Sequence, residues 1–175
     1  MAEEARLESV CAPKAYPEFE SRSLRTVRAV AADARNCFSL YNDAMYNREC
    51  TNEWISQLAS NEVFVFGSNL GGMHGAGAAR IAVDRFGAVM GQGVGLQGQS
   101  YAIPTMQGGV ETIQPYVDEF IDFAKSHPEL KFLVTPIGCG IAGFTVAEIA
   151  PLFAAAIDVE NIILPHSFVN VLERN

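Results

Sequence analysis

Hydrophobic residues along this chain fall into short unbroken runs separated by glycine-rich breaks, and the clearest runs lie in its second half. Val63-Phe64-Val65-Phe66 is apolar without alternation, which predicts an interior strand of a parallel sheet covered on both faces. The chain then breaks into Gly67-Ser68-Asn69-Leu70-Gly71-Gly72-Met73-His74-Gly75-Ala76-Gly77 and resumes as a helix from about Gly75 to Phe86, with Gly87 as its C-cap. Ser100-Tyr101-Ala102-Ile103 reads as a short strand stopped by Pro104. Ile113, Tyr116, Val117, Phe120, Ile121, Phe123 and Ala124 recur at helical spacing over 111–126, and His127-Pro128 ends that helix. Residues 132–135 form the next strand, 146–157 the next helix and 161–164 the last strand. Strand and helix alternate, so the expected fold is an α/β sheet of largely parallel strands.

The first 60 residues read differently. Residues 1 to about 20 are polar, with Pro13 and Pro17, and form an arm. Leu24, Val27 and Val30 predict a short amphipathic helix over 21–34. A second helical stretch is expected over 37–59, broken near Glu49-Cys50-Thr51-Asn52, with Phe38, Tyr41, Met45, Trp54, Ile55 and Leu58 as its buried stripe. The domain division is therefore 1–60, an arm and helical extension, and 61–175, the α/β domain.

Composition narrows the function classes. The chain has 175 residues, 12 basic against 20 acidic, and a net charge of −8. After Glu62 the basic residues are Arg80, Arg85, Lys125, Lys131 and Arg174, outnumbered by acids about two to one. General nucleic-acid binding is excluded, because neutralising phosphates needs the opposite balance. Cys11, Cys37, Cys50 and Cys139 make no CxxC pair and no metal-ligand spacing with His74, His127 and His166, so neither metal nor cofactor is expected. The acidic N-terminus is unlike a signal peptide, and no apolar run reaches the roughly 20 residues of a membrane span. The expected location is the cytoplasm, without a membrane partner.

All 15 glycines lie between Gly67 and Gly143. Two strand–glycine loop–helix units stand out: the first follows Phe66, and the second is Pro136-Ile137-Gly138-Cys139-Gly140-Ile141-Ala142-Gly143-Phe144. Backbone N–H groups at such loops and helix starts bind anions, phosphates above all. Gly75-Ala76-Gly77-Ala78-Ala79-Arg80 departs from a dinucleotide fingerprint at Arg80, and no Gly-Lys-Ser/Thr exists for a Walker loop.

The two loops, in this order, resemble those of the macrodomain family, which clamp the diphosphate and distal ribose of ADP-ribose. The Ile-Gly-Cys-Gly wording is similar to the branch containing terminal ADP-ribose glycohydrolases, the stretch from Val63 to the end of the 140s is similar to phage and bacterial macrodomain-like proteins, and the family resemblance as a whole covers roughly residues 62–165. The resemblance implies a three-layer α/β/α domain with a mostly parallel sheet, here carrying a helical N-terminal extension. It implies that Asn69 lies near the distal ribose, that Gly75, Gly77, Gly138, Gly140 and Gly143 admit phosphate close to the main chain, and that Phe144 packs on the ribose. Gly67, Ser68, Ala76, Arg80, Cys139, Ile141 and Ala142 complete the expected ligand-binding set. Where the family's turn begins with asparagine this chain has Phe66, and Ala79 and Ala142 stand where hydrolytic members carry acids. Phe168 is a candidate ring for stacking on the base, or a core residue.

Three residues invite chemistry. His74 is the candidate proton-transfer group, with Asn69 beside it as the second catalytic candidate. Arg80 either meets a phosphate or pairs with Asp84 one turn on. Cys139, between two glycines, is a candidate for a lowered thiol pKa. The expected ligand is ADP-ribose, a related NAD-derived nucleotide or an ADP-ribosylated substrate, with hydrolysis of an ADP-ribosyl linkage left open. The alternative is a non-catalytic interaction or structural protein with a vestigial pocket. Oligomeric state is open.

Overall fold

The computed structural model describes residues 48–52 and 54–174, all within a compact unit formed by Arg48–Asn175. The helix read over 21–34 and the first part of that read over 37–59 lie outside the described residues. Five strands make one sheet: β1 (Glu62–Ser68), β2 (Gly95–Gln97), β3 (Ser100–Pro104), β4 (Lys131–Val134) and β5 (Ile162–Ile163). Their order across the sheet is β2-β3-β1-β4-β5. β1 pairs in parallel with β3 on one side and β4 on the other, β4 pairs in parallel with β5, and only β2 runs antiparallel, against β3.

β1 is the centre of the sheet because its side chains can be buried on both faces. Alternate residues of a strand point to opposite faces, and β1 feeds two separate cores. Val63 and Val65 pack with Tyr101, Ile103, Phe120, Phe132, Phe153 and Phe168. Phe64 and Phe66 pack with Ala79, Ala82 and Phe86 of helix α1 (Gly77–Phe86). In the first core the Phe120 ring meets Tyr101 at 5.1 Å and Phe132 edge-on at 5.5 Å. These are the offset and edge-to-face contacts aromatic pairs favour. Helix α2 (Gln114–Ser126) supplies Val117, Phe120, Ile121 and Ala124 to that core.

The helix expected over 146–157 divides in two. α3 (Val146–Ile149) opens on a capping box between Thr145 and Glu148, and Ala150–Ala156 continues as a 3-10 helix. Pro151, without an N–H for the α ladder, marks the change. α1 ends as expected on Gly87, at φ 76°, whose N–H bonds Ala82. Two elements were missed: β2, inside the glycine-rich segment 91–99, and helix α4 (His166–Leu172).

The helix expected over 37–59 is corrected in its described part, since Arg48–Cys50, Asn52 and Trp54–Ala59 are not helical. Thr51 instead caps the β5 edge: its N–H donates to Leu164 O at 2.9 Å and its hydroxyl to Ile163 O at 2.6 Å. Trp54, expected in a buried stripe, is 84% exposed. Ile55 and Leu58 do pack on the second core. The outer edge of β2 is blunted by Gln92, whose side chain donates to Val94 O and Leu96 O, and a covered edge discourages strand pairing with another chain.

Candidate functional site

The sheet order reverses at β1: the chain crosses to β3 on one side and later to β4 on the other. Ligands of open parallel sheets bind in the crevice outside the strands' carboxyl ends at such a reversal. A cleft of about 380 Å³ lies there, lined by residues 67–69, Met73, 75–79, 105–106, 135–138 and 140–142. Its floor is the end of β1 with Thr105 and Thr135, the residues directly after β3 and β4. Gly67 is closely packed: a Cβ there would come within 3.3 Å of both Thr105 Oγ1 and Gly138 N, so any side chain requires these neighbours to give by a few tenths of an ångström.

One wall is the loop leading into α1. Asn69 holds it: its Oδ1 accepts from Met73 N at 3.1 Å, and its Nδ2 donates to Met73 O at 2.9 Å. The glycine-rich segment 91–99 pins the loop from outside. Gly91 N donates to Gly72 O at 2.9 Å, the Ser68 hydroxyl donates to Gly93 O, and His74 Nε2 donates to Gln92 O at 3.0 Å. A Cβ on Gly93 would fall 2.1 Å from Asn69 O, so the two backbones are in contact. The opposite wall is the loop after β4. Its turn closes through Gly143 N to Gly140 O and Phe144 N to Gly138 O, both at 3.0 Å.

What these walls offer a ligand is main chain. Ala76 precedes α1 in extended geometry and provides no side-chain cap. The N–H groups of Gly77, Ala78 and Ala79 therefore have no hydrogen-bond partner among the described residues, as expected for the first turn of a helix. The N–H groups of Gly140, Ile141 and Ala142 are likewise unpartnered there. A Cβ built on Gly75, Gly77, Gly140 or Gly143 meets nothing within 4 Å, so all four stand at open space. The cleft's polar side chains are Ser68, Asn69, Thr105 and Thr135. All donate to carbonyls: the Thr105 hydroxyl to Ser68 O at 3.3 Å, the Thr135 hydroxyl to Val65 O at 2.8 Å, and Ser68 and Asn69 as above.

Of the residues singled out in the sequence, the cleft gathers Gly67, Ser68, Asn69, Gly75, Ala76, Gly77, Gly138, Gly140, Ile141 and Ala142. His74 is not among its lining. It is fully buried, edge-on to Phe66 at 5.1 Å, with Nδ1 unpartnered among the described residues. Because a carbonyl only accepts, Nε2 carries the proton of the contact with Gln92 O. Arg80 pairs with Asp84 at 2.8 Å on the exposed face of α1, outside the cleft lining. Cys139, Gly143 and Phe144 of the second loop do not line the cleft, and Cys139 and Phe144 pack on the first core. Burial, and then the Glu148 carboxylate, push the Cys139 thiol pKa up, the reverse of an activated nucleophile. Phe168 is a core residue, tilted against Phe153 at 5.5 Å.

Sequence reasoning missed Met73, Thr105, Met106 and Thr135. The two threonines carried a usable signal: each is the first residue past a parallel strand. The two methionines carried none, because only the folded loops bring them to one rim.

Among the described residues no three or more His, Cys, Asp or Glu side chains are grouped to hold a metal ion, and no helix is long and apolar enough to cross a membrane. Compared with protein-family models, with curated proteins and with solved structures, the chain finds no match.

Proposed function

We propose that the domain is a three-layer, macrodomain-like module that binds ADP-ribose or a related NAD-derived nucleotide in the cleft at the carboxyl ends of β1, β3 and β4. One observation carries this reading: two separate runs of backbone N–H groups without a partner among the described residues, at Gly77–Ala78–Ala79 and Gly140–Ile141–Ala142, line the same cleft. Unpartnered amides at a helix N-terminus favour an anion through both hydrogen bonding and the helix dipole. Two such runs suit a ligand with two linked phosphates. The volume of about 380 Å³ is in the range of small-molecule sites.

Binding is favoured over hydrolysis by the composition of the lining. Its polar side chains are two threonines, a serine and an asparagine, each donating to a main-chain carbonyl and none an ionisable acid or base, and a general acid or base must reach the reacting atoms. His74 then acts as a structural tie to Gln92. Calorimetric titration with ADP-ribose beside NAD and AMP tests the proposal. Micromolar binding of ADP-ribose with AMP much weaker is expected. No heat from folded protein with any of the three would leave the two amide runs without a nucleotide role.

A further inference from the structure

We infer that the mouth of this cleft is a seat for a flat heteroaromatic ring that it grips by its faces without reading its edge, so that the ligand class is nucleoside-diphosphate conjugates of any base. The inference rests on the amide-lined cleft proposed above and adds to it which end of the ligand is selected, and how.

Three large apolar side chains converge on the rim from distant parts of the chain. Met73 comes from the loop before α1, Met106 from just past β3, and Ile141 from the loop after β4, and all three line the cleft. They are 67%, 52% and 71% exposed. Single exposed hydrophobics are ordinary, whereas a group at the rim of one cleft marks a contact surface. Leu70, Val89 and Met90 are also exposed, yet do not line it.

The rim is mounted firmly but its side chains are free to adapt. Met73 is held by its main chain alone, through both polar atoms of Asn69. Its unbranched thioether remains able to settle on a ring, as methionines do at surfaces that accept varied partners. Distinguishing one base from another requires donors and acceptors fixed against the ring edge. The cleft's polar side chains are instead turned onto the carbonyls of Val65, Ser68, Met73 and Gly93. Every base presents a π-face, so a face-only grip tolerates them all.

The test is calorimetric titration of the full chain with ADP-ribose, GDP-mannose, UDP-glucose and inorganic pyrophosphate, for the parent and for Met73→Ala/Met106→Ala. The parent is expected to bind the three nucleotide conjugates within about threefold of one another, and pyrophosphate more weakly. The double variant should weaken all three conjugates by about tenfold and leave pyrophosphate unchanged. Met90→Ala, an exposed methionine away from the cleft, should change nothing. A preference of about tenfold or more for one base overturns the face-only grip while the amide-lined cleft stands. Conjugates that bind no better than pyrophosphate, or a double variant with parental affinity, overturn the ring seat with the same consequence. Failure of all four ligands to bind folded protein overturns the cleft reading itself.

Discussion

Gly140→Glu separates a ligand-binding cleft from a mere gap between loops. Gly140 lies outside the left-handed backbone region, and a Cβ on it meets nothing within 4 Å, so the substitution brings neither strain nor a clash at Cβ. The new carboxylate lies beside the unpartnered N–H groups of Gly140, Ile141 and Ala142, where the proposed phosphates sit. Two unit charges about 5 Å apart at an effective dielectric near 20 repel by about 3 kcal/mol, or roughly a hundredfold in Kd. Screening in an open cleft brings the expected loss to about 10- to 100-fold at physiological salt. Calorimetry with ADP-ribose on the parent, Gly140→Glu and Gly140→Ala reads the effect, and thermal melts show whether each is folded. The alanine variant should bind within about threefold of the parent, because its methyl is uncharged and enters open space. Raising the salt should narrow the gap between glutamate variant and parent. A folded Gly140→Glu protein with parental affinity would refute the assignment of phosphates to this loop.

Other consequences are open to direct measurement. Gly93→Ala would put a Cβ 2.1 Å from Asn69 O and 2.8 Å from Leu70 O, so it should lower Tm by roughly 10 °C, whereas Gly140→Ala should leave Tm unchanged. An unshifted Gly93→Ala melt would show that the two loops are not in backbone contact. Burial, aided by the Glu119 carboxylate, pushes the Tyr101 pKa up to about 12. A raised phenol pKa means the fold favours the neutral form, so this stabilisation is whole below the ordinary value near 10 and fades as pH rises toward 12. Denaturation midpoints for Tyr101→Phe should accordingly fall less steeply than the parent's across that window, and parallel curves would contradict the assignment. Cys139, its thiol pKa raised by burial and Glu148, should react with iodoacetamide more slowly than a cysteine in a free peptide. Peptide-resolved mass spectrometry measures that rate, and one at or above the free-peptide value would contradict the raised pKa.

Much of the fold was legible because it is written in local pattern. The run 63–66, apolar without a break, could only be an interior strand, and it became the central β1. Gly87 and His127 end α1 and α2 where their backbone chemistry requires. The two glycine loops were legible for the same reason, since each sits between a strand and a helix start. Beyond that, local pattern loses its grip. Nothing near Trp54 says that its neighbour Thr51 will bond Ile163 and Leu164, more than a hundred residues on, instead of entering a helix. Nothing near His74 says that its ring will be buried against Phe66 and Gln92 and kept out of the cleft lining.

Sequence alone therefore determined most of the element types, the placing of two glycine loops between strands and helix starts, and the net acidic charge. Periodicity, capping and net charge belong to neighbouring residues or to their sum. Only the tertiary structure decided which groups face the cleft. It committed Asn69 to Met73, paired Arg80 with Asp84, sent Phe168 into the core, and brought Thr105, Thr135, Met73 and Met106 to one site. Each of those outcomes depends on sheet order and on which loops touch. Sheet order and loop contact are settled by packing between residues far apart in the chain, which no local spacing encodes.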